Sequence, residues 1–191
     1  MATCLKFRSR QADPQLDQGE LDCVAFARDR LGFIADSQQA LVLRAGISRG
    51  LLNCTRQWGK STVVAIKAVH HAFTQPDRLV IVCSASARQS KEFCKKMLGF
   101  LRKVGINSLH LPNGSRIIGL PANENTIRGY SAATMVLIDE AARVPEGLYA
   151  AVKPMLATTG GEMWLMSTPH GQRGFFIGSG WMRFRIGSGF A

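Results

Sequence analysis

The sequence predicts an α/β fold, a mainly parallel sheet flanked by helices. Three observations predict it. First, Leu79-Val80-Ile81-Val82-Cys83, Met135-Val136-Leu137-Ile138 and Met163-Trp164-Leu165-Met166 are apolar at nearly every position, the pattern of strands buried on both faces. Second, stretches with helical spacing of apolar residues alternate with these runs, as crossovers between parallel strands require. Third, Gly59-Lys60-Ser61 follows another apolar run and opens a helical stretch, placing backbone N–H groups where a sheet edge can meet phosphate.

Taken in order, residues 1 to 22 are polar, with Pro14 and the acids Asp13, Asp17, Glu20 and Asp22 close together, and read as an arm or adaptor. Val24, Phe26, Ala27 and Leu31 give a short helix over 23–31. Ala40 to Ala45 form a second periodic stretch, with Asp36 or Ser37 placed to cap it. Gly50-Leu51-Leu52-Asn53-Cys54 reads as a buried strand, and Lys60 to Phe73 as a helix stopped by Pro76-Asp77. After the strand at 79–83, residues 87 to 103 form an amphipathic helix with Phe93, Cys94, Met97, Leu98 and Leu101 on one face. It also carries Arg88, Lys91, Lys95, Lys96, Arg102 and Lys103 against the single acid Glu92. That is either a solvated face or a surface that meets DNA.

Residues 107 to 120 predict a hairpin, with Ser108 to Leu111 and Arg116 to Leu120 as its arms and Asn113-Gly114 as its turn. Val144 to Leu156 predict a helix with Pro145 near its first turn. The tail from Ile177 repeats Ile-Gly-Ser-Gly at 177–180 and 186–189, and periodicity gives it no packed role.

The chain has 191 residues, the size of one domain, and 46% apolar residues suffice for a core. With 19% charged residues, wholesale disorder is excluded. A net charge of +11 fits a polyanionic partner, or a basic protein with no nucleic-acid role, since net charge speaks to association and not to fold. Cys4, Cys23, Cys54, Cys83 and Cys94 are odd in number, form no CxxC pair and have no zinc spacing with the four histidines. Reduced thiols are expected. The N-terminus has no signal-peptide apolar core, and no run reaches the ~18 apolar residues of a membrane span.

The segment Cys54-Thr55-Arg56-Gln57-Trp58-Gly59-Lys60-Ser61 fits the phosphate-loop pattern GxxxxGK[ST] except at Cys54, which stands where the first glycine belongs. Gly59 lets the backbone turn close to phosphate. Lys60 supplies a cation to the β- and γ-phosphates, and the Ser61 hydroxyl completes a Mg²⁺ shell. ATP and Mg²⁺ are the expected ligands, with Thr55, Arg56, Gln57, Trp58, Gly59, Lys60, Ser61 and Thr62 as contacts. The apolar run 135–138 delivers Asp139 and Glu140 to the carboxyl edge of the sheet. Asp139 is the expected metal ligand and Glu140 the base that polarises water. The last apolar run delivers Ser167-Thr168-Pro169, where a hydroxyl can sense the γ-phosphate.

Together these motifs resemble the ATPase domain of tailed-bacteriophage terminase large subunits, the DNA-packaging motor. Arg56 to Thr62 is similar to that family's deviant Walker A motif, and Leu137-Ile138-Asp139-Glu140-Ala141 to its Walker B. Ser167-Thr168-Pro169 resembles its coupling motif, with Ser167 and Thr168 as coupling residues. Asp36-Ser37-Gln38-Gln39 stands where the family has its adenine-reading glutamine, matched by Gln39, and Thr126-Ile127-Arg128-Gly129-Tyr130-Ser131 is also similar.

The resemblance spans about residues 35–176 and implies an additional-strand, RecA-like P-loop domain there, between an arm at 1–34 and a glycine-rich tail at 177–191. It implies ATP hydrolysis that drives double-stranded DNA into a procapsid. It also implies portal protein and terminase small subunit as partners, a homo-oligomeric ring, and residence in the host cytoplasm and transiently on the procapsid. The basic helix over 87–103 offers Lys91, Lys95 and Lys96 as the DNA contacts. Arg56 is either a solvated side chain or an arginine finger, acting in cis or in trans from a neighbouring subunit. The family normally continues into a nuclease domain with clustered acids. No Asp or Glu follows Glu162 here, so no nuclease is expected from this sequence. A helicase-like DNA-stimulated ATPase and an inactive remnant are the alternatives.

Overall fold

A computed structural model describes residues 22–55, 57–168 and 182–186. Six strands form one sheet: β1 (Arg49–Cys54), β2 (Leu79–Ser84), β3 (Arg116–Pro121), β4 (Met135–Ile138), β5 (Glu162–Ser167) and β6 (Met182–Ile186). Their order is β3-β2-β4-β5-β1-β6, and every pairing is parallel. The helices are α1 (Cys23–Asp29), α2 (Ser37–Arg44), α3 (Lys60–Thr74), α4 (Ala87–Lys103), α5 (Glu124–Ile127) and α6 (Glu146–Ala157). β5 lies between β1, which leads to the Gly-Lys-Ser turn, and β4, which leads to the acid pair. This is the additional-strand arrangement.

Strand side chains alternate between two core layers, as the two-residue period dictates. Leu52, Cys54, Val80, Val82, Leu137, Trp164 and Met166 pack with α1 to α4 on one face. Leu51, Ile81, Cys83, Val136, Ile138, Met163 and Leu165 pack with α5 and α6 on the other. The apolar runs therefore carry the whole thickness of the core. Cys23, Phe26, Ala27 and Leu31 belong to the first layer, so the helix grouped by sequence with an N-terminal arm is built into the body of the domain. The four described cysteines are buried free thiols. Burial pushes those of Cys23 and Cys83 up to about 12.

Two expectations are corrected. The hairpin over 107–120 does not form as a pair of strands. β3 pairs in parallel with β2, from Leu79↔Arg116 to Ser84↔Pro121, and only the bridge His110↔Arg116 remains antiparallel. The Asn113 amide instead donates to the carbonyls of Ala72, Phe73 and Gln75, satisfying the open end of α3. Across the turn the first arm keeps two backbone bonds, Leu111 N–H to Ser115 O (2.7 Å) and Ile117 N–H to Leu109 O (2.8 Å). The tail also has a packed role: β6 adds to β1 in register Gly50↔Met182 to Cys54↔Ile186. Phe184 stacks on Trp164 with ring centroids 6.1 Å apart. The remainder of the tail, residues 177–181 and 187–191, lies outside the described residues, as do residues 1–21.

Candidate nucleotide site

The Gly-Lys-Ser turn joins β1 to α3. Gly59 holds φ +94°, a left-handed geometry that a side chain resists, and its carbonyl accepts from the N–H groups of Thr62 (2.9 Å) and Val63 (3.0 Å) to start the helix. Gln57 also has positive φ, at 70°. Cys54 tolerates the place of a glycine because it ends β1 with its side chain fully buried in the core. Lys60, the first residue of α3, donates from Nζ to the carbonyls of Cys54 and Thr55, both at 3.3 Å. Arg56 lies outside the described residues. Trp58 packs against the core, and Thr55 is exposed.

The acid pair follows β4. The Asp139 N–H donates to Cys83 O (2.8 Å), continuing the β2–β4 ladder, and its carboxylate accepts from the Glu140 N–H (3.0 Å). Burial holds the Asp139 carboxyl above its usual range. The Glu140 N–H bond lowers it, the Glu140 charge raises it, and Lys60 and Lys96 pull it down. A half-buried carboxylate raised by desolvation fits a divalent cation, and Ser61 and Asp139 line one cavity of about 620 Å³. Glu140 sits at φ 50°, ψ 43°, a strained conformation for a non-glycine residue, and its carboxylate pairs with Arg143 at 3.3 Å.

Gln39 is tied into the same region. Asp36 caps α2 by accepting from the Gln39 N–H (2.8 Å), while Gln39 Oε1 accepts from the Asp36 N–H (3.1 Å). Gln39 Nε2 then donates to Trp58 O (3.2 Å). Both ends of the amide are engaged within the protein, linking α2 to the turn. Ser167 ends β5 opposite Asn53 of β1, 2% exposed, with its hydroxyl donating to Thr168 O at 2.9 Å. Pro169, the next residue of that motif, lies outside the described residues.

The basic residues of α4 separate. Lys91 and Lys95 are exposed, and Lys95 pairs with Glu92 at 2.7 Å. Lys96 stands apart from these two, with which sequence reasoning groups it. Its Nζ donates to Thr62 Oγ1 (3.4 Å), and it lines the cavity that holds Ser61 and Asp139. Ser86, Arg88, Gln89 and Glu92 line that cavity too, and motif spacing singled out none of them for the site. The signal was present, since Arg88, Glu92 and Lys96 recur every fourth residue and share a helix face.

A parallel sheet with an added strand between the Gly-Lys-Ser strand and the acid strand, and with both motifs at its carboxyl edge, defines a P-loop domain of the RecA-like, additional-strand class. Residues 51–176 match the family model for the terminase large subunit, T4likevirus-type, N-terminal, and the chain belongs to that family. Among solved structures, the Thermus phage P74-26 large terminase ATPase domain superposes with TM-score 0.71 at 18% identity, over 84% of this chain and 84% of that one. The large terminase of another thermophilic bacteriophage, in complex with ADP, gives TM-score 0.63 at 12% identity, over 88% of this chain and 44% of that one. The HK97 bacteriophage large terminase gives 0.62 at 16%, over 80% and 38%. The chain thus spans less than half of these last two proteins.

Proposed function

We propose that this chain is an ATP-hydrolysing motor domain that drives double-stranded viral DNA into a procapsid. The observation that carries the proposal is the meeting of Ser61, Asp139 and Lys96 in one cavity beside Lys60, at the edge of a sheet of terminase type. In this reading the N–H groups at the start of α3 and the Lys60 ammonium hold the β- and γ-phosphates. Ser61 and Asp139 hold Mg²⁺, which when bound neutralises charge building up on the phosphates. Glu140, next to Asp139 but outside the cavity lining, is in this reading the base that takes a proton from the attacking water. To act there, its carboxylate has to exchange the 3.3 Å pair with Arg143. A contact of Gln39 with adenine requires exchange of its bond to Trp58 O or to the Asp36 N–H. In this reading Arg56 is a finger for the γ-phosphate, acting in cis or in trans.

Ser167 and Thr168 carry the consequence of hydrolysis outward, because β5 is hydrogen-bonded to both the β1 and β4 strands. DNA contacts fall on Lys91 and Lys95. Portal protein, terminase small subunit and further copies of the chain in a ring complete the machine, in the host cytoplasm and transiently on the procapsid. Among the described residues, no helix is long and apolar enough to cross a membrane.

The test is phosphate release from Mg·ATP with and without double-stranded DNA and procapsids. Turnover stimulated by both together supports a packaging motor. Stimulation by DNA alone, indifferent to procapsids, assigns the chain to another DNA-stimulated ATPase. Absence of turnover in every mixture identifies an inactive remnant.

A further inference from the structure

We infer that Lys96 of α4 binds the terminal phosphate of the nucleoside triphosphate, so that the site grips its substrate from two helices rather than from the phosphate loop alone. The inference rests on the nucleotide reading above and deepens it. α4 is fixed in rotation by its buried side. Ser90 Oγ donates to Leu120 O at 2.7 Å, and Phe93 and Met97 are buried. Gly119 of β3 has no side chain, which admits α4 closely, since a Cβ there would stand 2.6 Å from Cys94 Sγ. With that side locked, the positions one turn apart at Arg88, Glu92 and Lys96 face the cavity that Ser61 and Asp139 line.

Lys96 is placed to act on phosphate. Its ammonium reaches Thr62 Oγ1 in the first turn of α3, where N–H groups and the helix dipole favour an anion. That hydroxyl is a neutral partner, and the acid nearest in sequence, Glu92, is engaged by Lys95. Lys60 approaches from the β1 side, against Cys54 O and Thr55 O, whereas Lys96 approaches from α4. Lys96 and Asp139 line the same cavity, as does Ser61, the residue after Lys60. A polyphosphate running over the start of α3 toward Asp139 therefore meets Lys60 along its length and Lys96 at its far end. A diphosphate, one phosphate shorter, does not reach Lys96.

The discriminating experiment titrates the full chain with a fluorescent ADP and with a non-hydrolysable fluorescent ATP analogue in Mg²⁺, for the unmodified protein, Lys96→Met and Lys96→Arg. A charge-assisted contact predicts that Lys96→Met loses about tenfold in affinity for the triphosphate and less than about twofold for the diphosphate. Lys96→Arg recovers most of the loss, and affinity for double-stranded DNA stays at the unmodified level. Equal affinities for both nucleotides in Lys96→Met and the unmodified chain overturn the inference, as does an equal loss for both. Reduced DNA affinity with nucleotide discrimination intact also overturns it and returns Lys96 to the DNA track. If the unmodified chain binds neither nucleotide, the nucleotide reading fails and takes the inference with it. Lys96 is exposed, so melting curves should coincide. Should Lys96→Met melt early, Lys96→Gln takes its place.

Discussion

Lys60, Ser61 and Asp139 were legible in the sequence because phosphate and metal chemistry restricts which residue types stand at the ends of particular strands. Lys96 and Gln39 were singled out in the sequence, but their neighbours in the fold were not. Periodicity marks the buried face of a helix, but it does not say what the polar face meets once the strands are ordered. Lys96 faces the site because β2 and β4 are neighbours, an arrangement that no local pattern in α4 encodes. Gln39 acquires its bond to Trp58 O from the packing of α2 beside the Gly-Lys-Ser turn. At this scale the sharpest prediction concerns Asp139, half-buried and drawn toward cations. Asp139→Asn keeps the shape and removes the charge. Nucleotide binding should become nearly independent of Mg²⁺, whereas the unmodified protein should bind more tightly as Mg²⁺ rises. Equal Mg²⁺ dependence in the two titrations removes Asp139 from the metal site.

The strands with both faces buried were found in the sequence within a residue or so of their ends, since few other elements are apolar at every position. The same reasoning missed β6, an edge strand. Its sequence Met182-Arg183-Phe184-Arg185-Ile186 alternates apolar and basic residues, a two-residue period that the flanking glycines obscured. The predicted hairpin forms in part: the Asn113-Gly114 turn closes and the arms exchange bonds from Leu111 N–H to Ser115 O and from Ile117 N–H to Leu109 O, but the first arm does not lengthen into a strand. The β1–β5–β6 edge depends on one small residue. Gly50 pairs with Trp164, and a Cβ there would stand 2.4 Å from the indole ring. Trp164 cannot retreat easily, because Phe184 stacks on it, the Lys67 ammonium sits 5.0 Å from its ring centroid, and its Nε1 donates to Glu162 at 2.8 Å. Gly50→Ala should therefore cost about 1–3 kcal/mol in denaturant unfolding, as overpacked cores do. An unchanged midpoint shows that the indole moves freely.

The whole molecule has a chemical edge and a structural edge. Lys60 begins α3 at the site, and His70 and His71 lie near its other end. His70 stands edge-on to Phe26 at 5.2 Å, and His71 Nε2 lies 3.0 Å from Thr134 Oγ1. Burial, with nearby cationic side chains, lowers both imidazoles to about 4 from an ordinary 6.5. The unfolded chain then binds protons that the folded chain refuses. Stability is complete above pH 6.5 and falls as pH drops toward 4, by up to about 1.4 kcal/mol per pH unit for each histidine. His71→Gln should flatten that slope in thermal melts between pH 7 and 5, and an unaltered slope assigns the acid sensitivity elsewhere. The central claim concerns the other edge, where nucleotide binding and hydrolysis are divided between two motifs. It is tested most directly by measuring ATP binding and phosphate release side by side in the unmodified chain, Lys60→Ala and Glu140→Gln. Lys60→Ala should lose both, while Glu140→Gln should bind Mg·ATP normally and hydrolyse it about 10²–10⁴-fold more slowly. Full turnover in Lys60→Ala, or normal turnover in Glu140→Gln, would contradict it.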